Sequence, residues 1–198
     1  MTRWWWVRHA PVPDPRGRIT GQLDLPCDTS DQSCFAALAD RLPRGALLVE
    51  SGLLRCRQTI AALEAAGLAL PPALCEPAFL EQDFGRWQGH GWTELAEAKD
   101  PDLPAFWREP AAALPPAGES FVQVVGRVGA AMARFNAAHP DRDIIAVAHA
   151  GAIRAALAVA LDIAPAAALR FAVAPLSLTR LDAMEGGWAV GGVNHEIG

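Results

Sequence analysis

The sequence predicts an α/β fold with a mostly parallel central sheet and one antiparallel edge. Short apolar runs typical of buried strands alternate with amphipathic, helix-like stretches along most of the chain. Two strand-like runs, 176–181 and 188–193, flank Glu185-Gly186-Gly187 and indicate a hairpin that supplies the antiparallel edge. A length of 198 residues is typical of one domain with one core, so we expect a single domain, 1–198.

The composition argues against several classes of protein. A net charge of −5 argues against a nucleic-acid partner or a polybasic membrane contact. The N-terminal apolar run ends at Arg8, and the Ala-rich last third is interrupted by Arg154, Asp162 and Arg170, so neither is long enough for a signal peptide or a membrane span. We therefore expect a soluble, cytoplasmic protein.

The cysteines form no C-x-x-C pair and have no metal-like spacing with the histidines. They are Cys27, Cys34, Cys56 and Cys75. We expect four reduced thiols, as in cytosolic proteins, and no zinc site.

The first strand is predicted at Trp4-Trp5-Trp6-Val7, where bulky, β-favouring residues are followed at once by Arg8 and His9. In an open α/β sheet, ligands bind at the carboxyl ends of the strands. This pair is therefore a candidate anion site with a titratable imidazole.

A surface loop is predicted at residues 10–18, which are rich in proline and glycine. Its end and continuation supply the side chain of Arg18, the hydroxyl of Thr20 and the amide of Gly21, groups that suit a binding loop. A helix is predicted to follow, with Asp31 as its N-cap.

A second strand is predicted at 46–50, and a helix then runs from Ser51, as N-cap, to about Gly67. Arg55 and Arg57 lie in or near the first turn, where the helix macrodipole disfavours a cation by about 0.3–1 kcal/mol each. Positive charge at this helix end indicates an anion. We expect Arg55 to face the anion and Arg57 to reach solvent.

A third strand is predicted at 74–80 and ends at Glu81. A carboxylate beside an arginine-rich site has two interpretations, a salt-bridge partner or a proton donor to a leaving group. The position of Glu81 in the order of strands favours the second.

A lid-like insertion is predicted at about 86–118, with short helical patterns and the tryptophans Trp92 and Trp107. These rings either stack on a substrate or anchor the insertion to the core. A long amphipathic helix is predicted after Ser120. Its apolar face comprises Phe121, Val125, Val128, Met132 and Phe135.

A fourth strand, predicted at 143–148, repeats the pattern of the first, because His149 follows it directly. The helix after it is predicted to bury Ile153, Leu157, Ala160 and Leu161. In a βαβ arrangement the four strand ends share one rim of the sheet. Two arginines and two histidines on that rim suit a tetrahedral dianion such as phosphate.

Four motifs therefore occur in order along nearly the whole chain. They are Val7-Arg8-His9-Ala10, Ser51-x-Leu53-x-Arg55-x-x-Gln58-Thr59, Leu80-Glu81-x-x-Phe84-Gly85 and Ala148-His149-Ala150-Gly151. Together they resemble the motifs of the histidine phosphatase superfamily, which has the phosphoglycerate-mutase-like fold. The resemblance implies a three-layer α/β sandwich in which residues 1–198 form one histidine phosphatase domain.

The resemblance also implies roles. His9 is the residue that becomes phosphorylated, and Glu81 is the proton donor. Arg8, Arg55 and a protonated His149 hold the phosphate oxygens, so that no metal or other cofactor is needed.

The segment Arg18-Ile19-Thr20-Gly21 resembles the family's substrate loop, one residue short, and Ala150 belongs to the last motif. Arg18, Thr20, Gly21 and Ala150 are therefore expected at the substrate. The chain departs from the family at Ala10, where glycine is usual, at Pro11-Val12-Pro13 and in lacking a loop asparagine. We expect an intact pocket with one or two fewer phosphate hydrogen bonds and modest turnover.

The expected activity is that of a metal-independent phosphomonoesterase of the histidine acid-type, acting on a small organic phosphate through a phosphohistidine. Two alternatives remain open: a phosphoglycerate-mutase-type phosphotransferase, and an inactive phosphate-binding module. The length and the ending from Gly187-Trp188 to Asn194-His195 are similar to α-ribazole phosphatase-like members, which implies α-ribazole 5′-phosphate as one candidate substrate. The sequence leaves the oligomeric state open.

Overall fold

The computed structural model describes residues 1–14 and 16–197; Pro15 of the predicted loop and the last residue, Gly198, lie outside the described residues. The described strands are Thr2–Arg8 (β1), Leu47–Glu50 (β2), Leu74–Cys75 (β3), Asp143–Ala148 (β4), Leu178–Met184 (β5) and Gly187–His195 (β6). They form one sheet in the order β3-β2-β4-β1-β5-β6.

The sheet is parallel from β3 to β1 and antiparallel at its other side. Strand β4 pairs in parallel with both β1 and β2, and β2 pairs in parallel with β3. Strand β5 runs antiparallel to β1, and β6 antiparallel to β5. The predicted α/β class with an antiparallel edge is confirmed. The hairpin strands are longer than predicted, and the turn between them places Gly186 at φ +83°.

The helices lie between the strands in chain order. They are Gln32–Arg41 (α1), Leu54–Ala65 (α2), Trp92–Glu97 (α3), Leu103–Arg108 (α4), Phe121–Ala138 (α5), Ala150–Leu161 (α6) and Pro165–Ala168 (α7). The predicted N-cap Asp31 is confirmed, since its side chain accepts a bond from Cys34 N at 3.0 Å. Short 3-10 turns occur at Pro77–Phe79 and Gly85–Trp87.

Strand β4 shows how the two faces of the sheet are covered. Ile144 and Ala146 pack in a core cluster with α5 and α6, whereas Ile145 and Val147 pack in a second cluster with α1 and α2. Side chains alternate between the faces of a strand, so a strand that is apolar throughout needs helices on both sides. This is the expected three-layer sandwich.

The predicted strand at 74–80 is wrong beyond its first two residues. Pro77 has no N–H for a sheet ladder, and the Glu76 side chain accepts a bond from Ala78 N at 2.9 Å, which favours a 3-10 turn over an extended chain. Glu81 therefore follows a turn and not a strand end.

The predicted N-cap Ser51 is also wrong, because α2 begins at Leu54 with Leu53 as N-cap. In α5 the residue Val124 is buried and Val125 only half-buried. In α6, Ile153 and Leu157 are buried as predicted, but Ala160 is half-buried and Leu161 is exposed. These two residues lie at the end of α6, in its last turn.

All four cysteines are free thiols, as expected; Cys56 is buried and Cys75 exposed. Within 1–14 and 16–197 there is no helix of the length and apolarity that crossing a membrane requires.

Candidate active site

The sheet brings the two strand-end histidines together. Strands β1 and β4 pair in register, with Arg8 opposite Ala148. His9 and His149 each follow their strand by one residue, and their ring centroids lie 5.0 Å apart. These two motifs thus meet at one rim of the sheet, as predicted.

The tautomer of His9 follows from a hydrogen bond. Its Nδ1 lies 2.7 Å from the carbonyl oxygen of Ala10, which can only accept, so Nδ1 carries the proton. Nε2 is left with its lone pair, and no described protein group bonds it. Burial, followed by the charge of Arg55, lowers the pKa of His9 to about 3, against a smaller opposite effect of the bond to Ala10. His9 is therefore a neutral imidazole with a free Nε2.

His149 is fully buried and differs from the expectation of a cation. Its Nδ1 accepts a hydrogen bond from Arg55 Nε at 3.2 Å, and its Nε2 lies 2.7 Å from Ser51 Oγ. A proton on Nδ1 would oppose the Arg55 N–H, so Nε2 carries the proton and donates it to Ser51. Burial, followed by the proximity of His9 and the charge of Arg55, places the pKa of His149 well below its usual value. The protonated His149 expected from the sequence is wrong for this structure.

Arg55, in the first turn of α2, supports the loop that follows the first strand. Its Nη1 donates to Leu23 O and its Nη2 to Gly21 O, both at 2.7 Å. Each of these nitrogens has a second N–H, which remains for a ligand. Gly21 has φ +48°, a conformation that favours glycine, and any side chain there would have to displace the side chain of Gln88. Arg57 is exposed, as predicted.

Arg8 is held by a different part of the chain from the one that holds Arg55. Its Nη1 donates to the carbonyl of Val173, and its buried Nε has no partner among the described residues. Burial lowers its pKa, the charge of Glu81 opposes this effect, and the charges of Arg154 and Arg55 add to it. An unpaired buried guanidinium donor costs stability unless a ligand satisfies it.

Glu81 lies at the amino end of α6. Gly151 N–H lies 3.0 and 3.2 Å from the two carboxylate oxygens, and Gln82 N–H donates to Oε1 at 2.9 Å. A Cβ on residue 151 would lie 2.0 Å from Oε1, so the carboxylate occupies the space that only glycine leaves.

A clamp that the sequence did not reveal fixes the chain around Glu81. Arg127 donates to the carbonyls of Ala78, Leu80 and Glu81 at 2.7 to 3.1 Å. It also binds both carboxylate oxygens of Glu119, at 3.0 and 2.7 Å. The bonded carbonyls lie 46 to 49 residues away along the chain, so no local pattern indicates them.

Two cavities meet at Glu81. The first, which we name the charged cavity, has a volume of about 410 Å3, and its wall includes Arg8, His9, Arg18, Thr20, Gly21, Arg55 and Glu81. The second, the aromatic cavity, has a volume of about 340 Å3. Glu81, Phe84 and Trp92 line both.

Two predicted site residues do not line either cavity among the described residues. His149 lies beneath the charged cavity, against Arg55, and Ala150 packs in the core. Arg18 lines the cavity, but its Nε donates to Asp14 at 3.0 Å, which ties it to its own loop.

Two groups near the site have hydrogen-bond partners that the sequence did not predict: the backbone amide of Ala10 and the hydroxyl of Ser51. Ala10 N–H donates to Thr59 Oγ1 at 2.9 Å, so this amide is occupied by the protein. Ser51, expected at a helix cap, instead accepts the proton of His149 Nε2. Ser51 and Thr59 both belong to the motif around Arg55, and their place in that motif was the sign in the sequence that they support the site.

The chain is similar to known proteins of one family. The family model described as histidine phosphatase superfamily (branch 1) matches residues 4–196. A bifunctional protein of Mycobacterium tuberculosis is 35% identical over 117 residues, 59% of this chain but 31% of that protein, so the chain spans about a third of such relatives.

Other relatives match over more of their length. A metal-independent phosphoserine phosphatase of Arabidopsis thaliana is 31% identical over 155 residues, covering 75% of this chain and 64% of that protein. A glucosyl-3-phosphoglycerate phosphatase of Mycolicibacterium vanbaalenii is 34% identical over 172 residues, covering 79% and 73%.

A solved structure, the α-ribazole phosphatase from Shigella flexneri, has a TM-score of 0.86 at 22% identity, covers 99% of this chain and 98% of that chain, and shows the shared fold alone. The family match extends over all four motifs, three of which supply residues to the charged cavity. The chain therefore belongs to the histidine phosphatase superfamily, branch 1.

Proposed function

We propose that the protein is a metal-independent phosphomonoesterase, a histidine acid-type phosphatase that acts through a phosphohistidine at His9. The observation that carries this is the tautomer of His9, because the bond from Nδ1–H to Ala10 O leaves the Nε2 lone pair beside two arginines. A neutral imidazole next to an anion site is a competent nucleophile toward phosphorus.

In the first step, Nε2 of His9 attacks phosphorus in line as the bond from phosphorus to the ester oxygen breaks. The free N–H groups of Arg8 and Arg55 bind the equatorial oxygens, whose charge they stabilise in the transition state. Glu81, protonated in the substrate complex, donates its proton to the departing oxygen, and the alcohol leaves.

In the second step, water attacks the phosphohistidine and transfers a proton to the Glu81 carboxylate. The bond from phosphorus to Nε2 breaks, and inorganic phosphate forms. His9 recovers its lone pair and Glu81 its proton, so both groups return to their starting states.

His149 acts in this scheme as a positioning residue. It is fully buried, and its Nδ1 fixes the Nε edge of Arg55 while its Nε2–H is fixed by Ser51. Arg55 is thereby held before a substrate binds, which lowers the cost of ordering its side chain. Arg18, Thr20 and Gly21 line the charged cavity and close it on the loop side.

The substrate we propose is a small organic phosphate whose alcohol part occupies the aromatic cavity. The phosphoryl group would lie in the charged cavity, and the ester oxygen beside Glu81, which lines both. The insertion at 86–118 supplies most of the aromatic wall and would act as a lid. α-Ribazole 5′-phosphate, with its flat base, is one such ester. The four free thiols are compatible with a cytoplasmic location.

The test is a screen of phosphomonoesters with EDTA present. We expect inorganic phosphate and alcohol in equal amounts, without stimulation by 2,3-bisphosphoglycerate. Interconversion of 3- and 2-phosphoglycerate faster than phosphate release would contradict hydrolysis and support a mutase. Phosphate binding without turnover of any ester would mean an inactive binding module.

A further inference from the structure

The aromatic cavity contains one cation in an otherwise apolar wall. Its rings are Phe84, Trp92, Phe106, Trp107 and Phe121. Of the described residues that line it, Glu81 and Arg154 alone are charged. Glu81 has a role at the ester oxygen, whereas the proposed reaction leaves Arg154 without one.

Arg154 is fixed at one end and free at the other. Its Nε donates to the carbonyl of Phe171 at 2.9 Å, which orients the guanidinium. No described residue bonds Nη1 or Nη2, and Arg154 forms no salt bridge within 1–14 and 16–197. A guanidinium that keeps two nitrogens free beside a cavity is suited to bind a carboxylate through two parallel bonds.

The position of Arg154 on α6 sets its distance from the reacting atoms. It lies three residues after Gly151, whose N–H binds the Glu81 carboxylate, so the two positions are neighbours on one face of the helix. Residues at this spacing lie about 5–6 Å apart. Burial lowers the pKa of Arg154 and the nearby charge of Glu81 opposes this effect, and both side chains line the aromatic cavity. A ligand that reaches both therefore needs a short spacer between its two polar ends.

We propose that the aromatic cavity binds an alcohol part that carries a carboxylate, and that Arg154 binds this carboxylate through Nη1 and Nη2. This inference rests on the proposed phosphatase function and narrows its substrate class to carboxylated esters, which excludes α-ribazole 5′-phosphate. The phosphoryl group occupies the charged cavity, the ester oxygen lies at Glu81, and a short apolar or aromatic spacer packs against the rings.

Three esters with similar leaving groups test the proposal: 3-carboxyphenyl, 3-carbamoylphenyl and phenyl phosphate. The carbamoyl ester keeps the shape of the first but not its charge. We expect kcat/KM for the carboxylated ester to exceed the other two by about 10- to 100-fold, the usual effect of a hydrogen-bonded charge pair. In Arg154→Leu this preference should disappear, chiefly through a higher KM.

Arg108→Leu is the matched control, because it removes an exposed arginine of α4 that lines neither cavity among the described residues. It should keep the preference. Equal losses on all three esters in Arg154→Leu would mean that Arg154 acts through Glu81 and would overturn the proposal. So would a wild-type enzyme that shows no preference for the carboxylated ester while it hydrolyses phenyl phosphate.

A binding measurement distinguishes failure of this inference from failure of the proposed function. The affinities of the carboxylated and parent esters can be measured by calorimetry with His9→Ala, which does not turn them over. Tighter binding of the carboxylated ester, without turnover of any ester by the wild type, would support the Arg154 site and contradict the proposed phosphatase activity. Equal affinities would contradict the site, whatever the turnover.

Discussion

The charged cavity and the aromatic cavity share a wall but are held in different ways. In the charged cavity, Arg8, Arg55 and Glu81 are each bonded to backbone groups from distant parts of the chain. In the aromatic cavity, rings such as Trp92 and Phe106, stacked with centroids 5.6 Å apart, hold one another. They belong to short helices, α3 and α4.

This difference indicates that the charged cavity carries out the chemistry and that the aromatic cavity selects the substrate. Hydrogen bonds to backbone fix a charged side chain in direction, which a phosphoryl transfer requires. Aromatic packing fixes volume but allows small rearrangements, which suits the recognition of an alcohol part. We therefore expect substitutions in the charged cavity to affect the rate on every ester, and those in the aromatic cavity to affect the choice of ester.

The largest effect is expected at His9. His9→Ala removes the nucleophile and should abolish nearly all turnover on every ester, yet phosphate should still bind, because Arg8 and Arg55 remain. Acid-quench trapping with a radiolabelled ester should label the wild type on His9 alone. Label on another residue, or full activity in His9→Ala, would falsify the assignment of the nucleophile.

Glu81→Gln should have the next largest effect, and it should depend on the leaving group. Loss of a general acid costs about 10²- to 10⁴-fold, and we expect that loss on alkyl phosphates. On p-nitrophenyl phosphate the loss should be far smaller, since that leaving group scarcely needs a proton. Glu97→Gln, an exposed carboxylate of α3, is the control. Equal losses on both esters would make Glu81 a structural residue.

Acid should destabilise the fold through the charged cavity. The folded-state pKa of His9 is lowered to about 3, and that of His149 lies well below its usual value, so both stay neutral when folded but take up protons when unfolded. Their stability contribution is complete above pH 6.5 and declines as the pH falls, by about 1.4 kcal/mol per pH unit for each.

Urea titrations between pH 6.5 and 5 measure this slope. His149→Gln should reduce this slope by one proton. An unchanged slope in His149→Gln would mean that this imidazole is charged in the folded state.

The smallest effect is expected at Trp107, which is exposed and whose ring lies 5.0 Å from that of Trp92 at the aromatic cavity. Trp107→Ala should raise KM for aryl phosphates by about 2- to 10-fold, the usual contribution of an aromatic contact. An alkyl ester such as ethyl phosphate should be unaffected. A fall in kcat on both esters would mean that Trp107 supports the charged cavity, and would contradict the assignment of the aromatic cavity to ester selection.

Local sequence patterns were enough to predict which residues frame the site. Strands β1 and β4 each contain an apolar run and end directly before His9 and His149, and their pairing makes the two histidines neighbours. Arg55 could be predicted because a cation in the first turn of a helix is unusual. Such patterns are local, and the order of βαβ units then fixes where the strand ends meet.

Local patterns failed where a competing partner decided the outcome. Ser51 satisfies the rules for a helix cap, but His149, which lies 98 residues away, takes its hydroxyl. Residues 74–80 look extended, but Pro77 and the Glu76 side chain form a turn. In both cases a side-chain contact outweighed the propensity of the segment.

The charge state and orientation of each group in the site depend on contacts between distant parts of the chain. The neutral state of His149 depends on Arg55 and on complete burial, and the place of Glu81 depends on the missing side chain of Gly151, 70 residues away. The aromatic cavity depends on where the insertion packs. Charge states and hydrogen-bond directions are set by desolvation and by partners that only the folded chain brings within 3 Å or so, and for this reason no spacing in the sequence contains them.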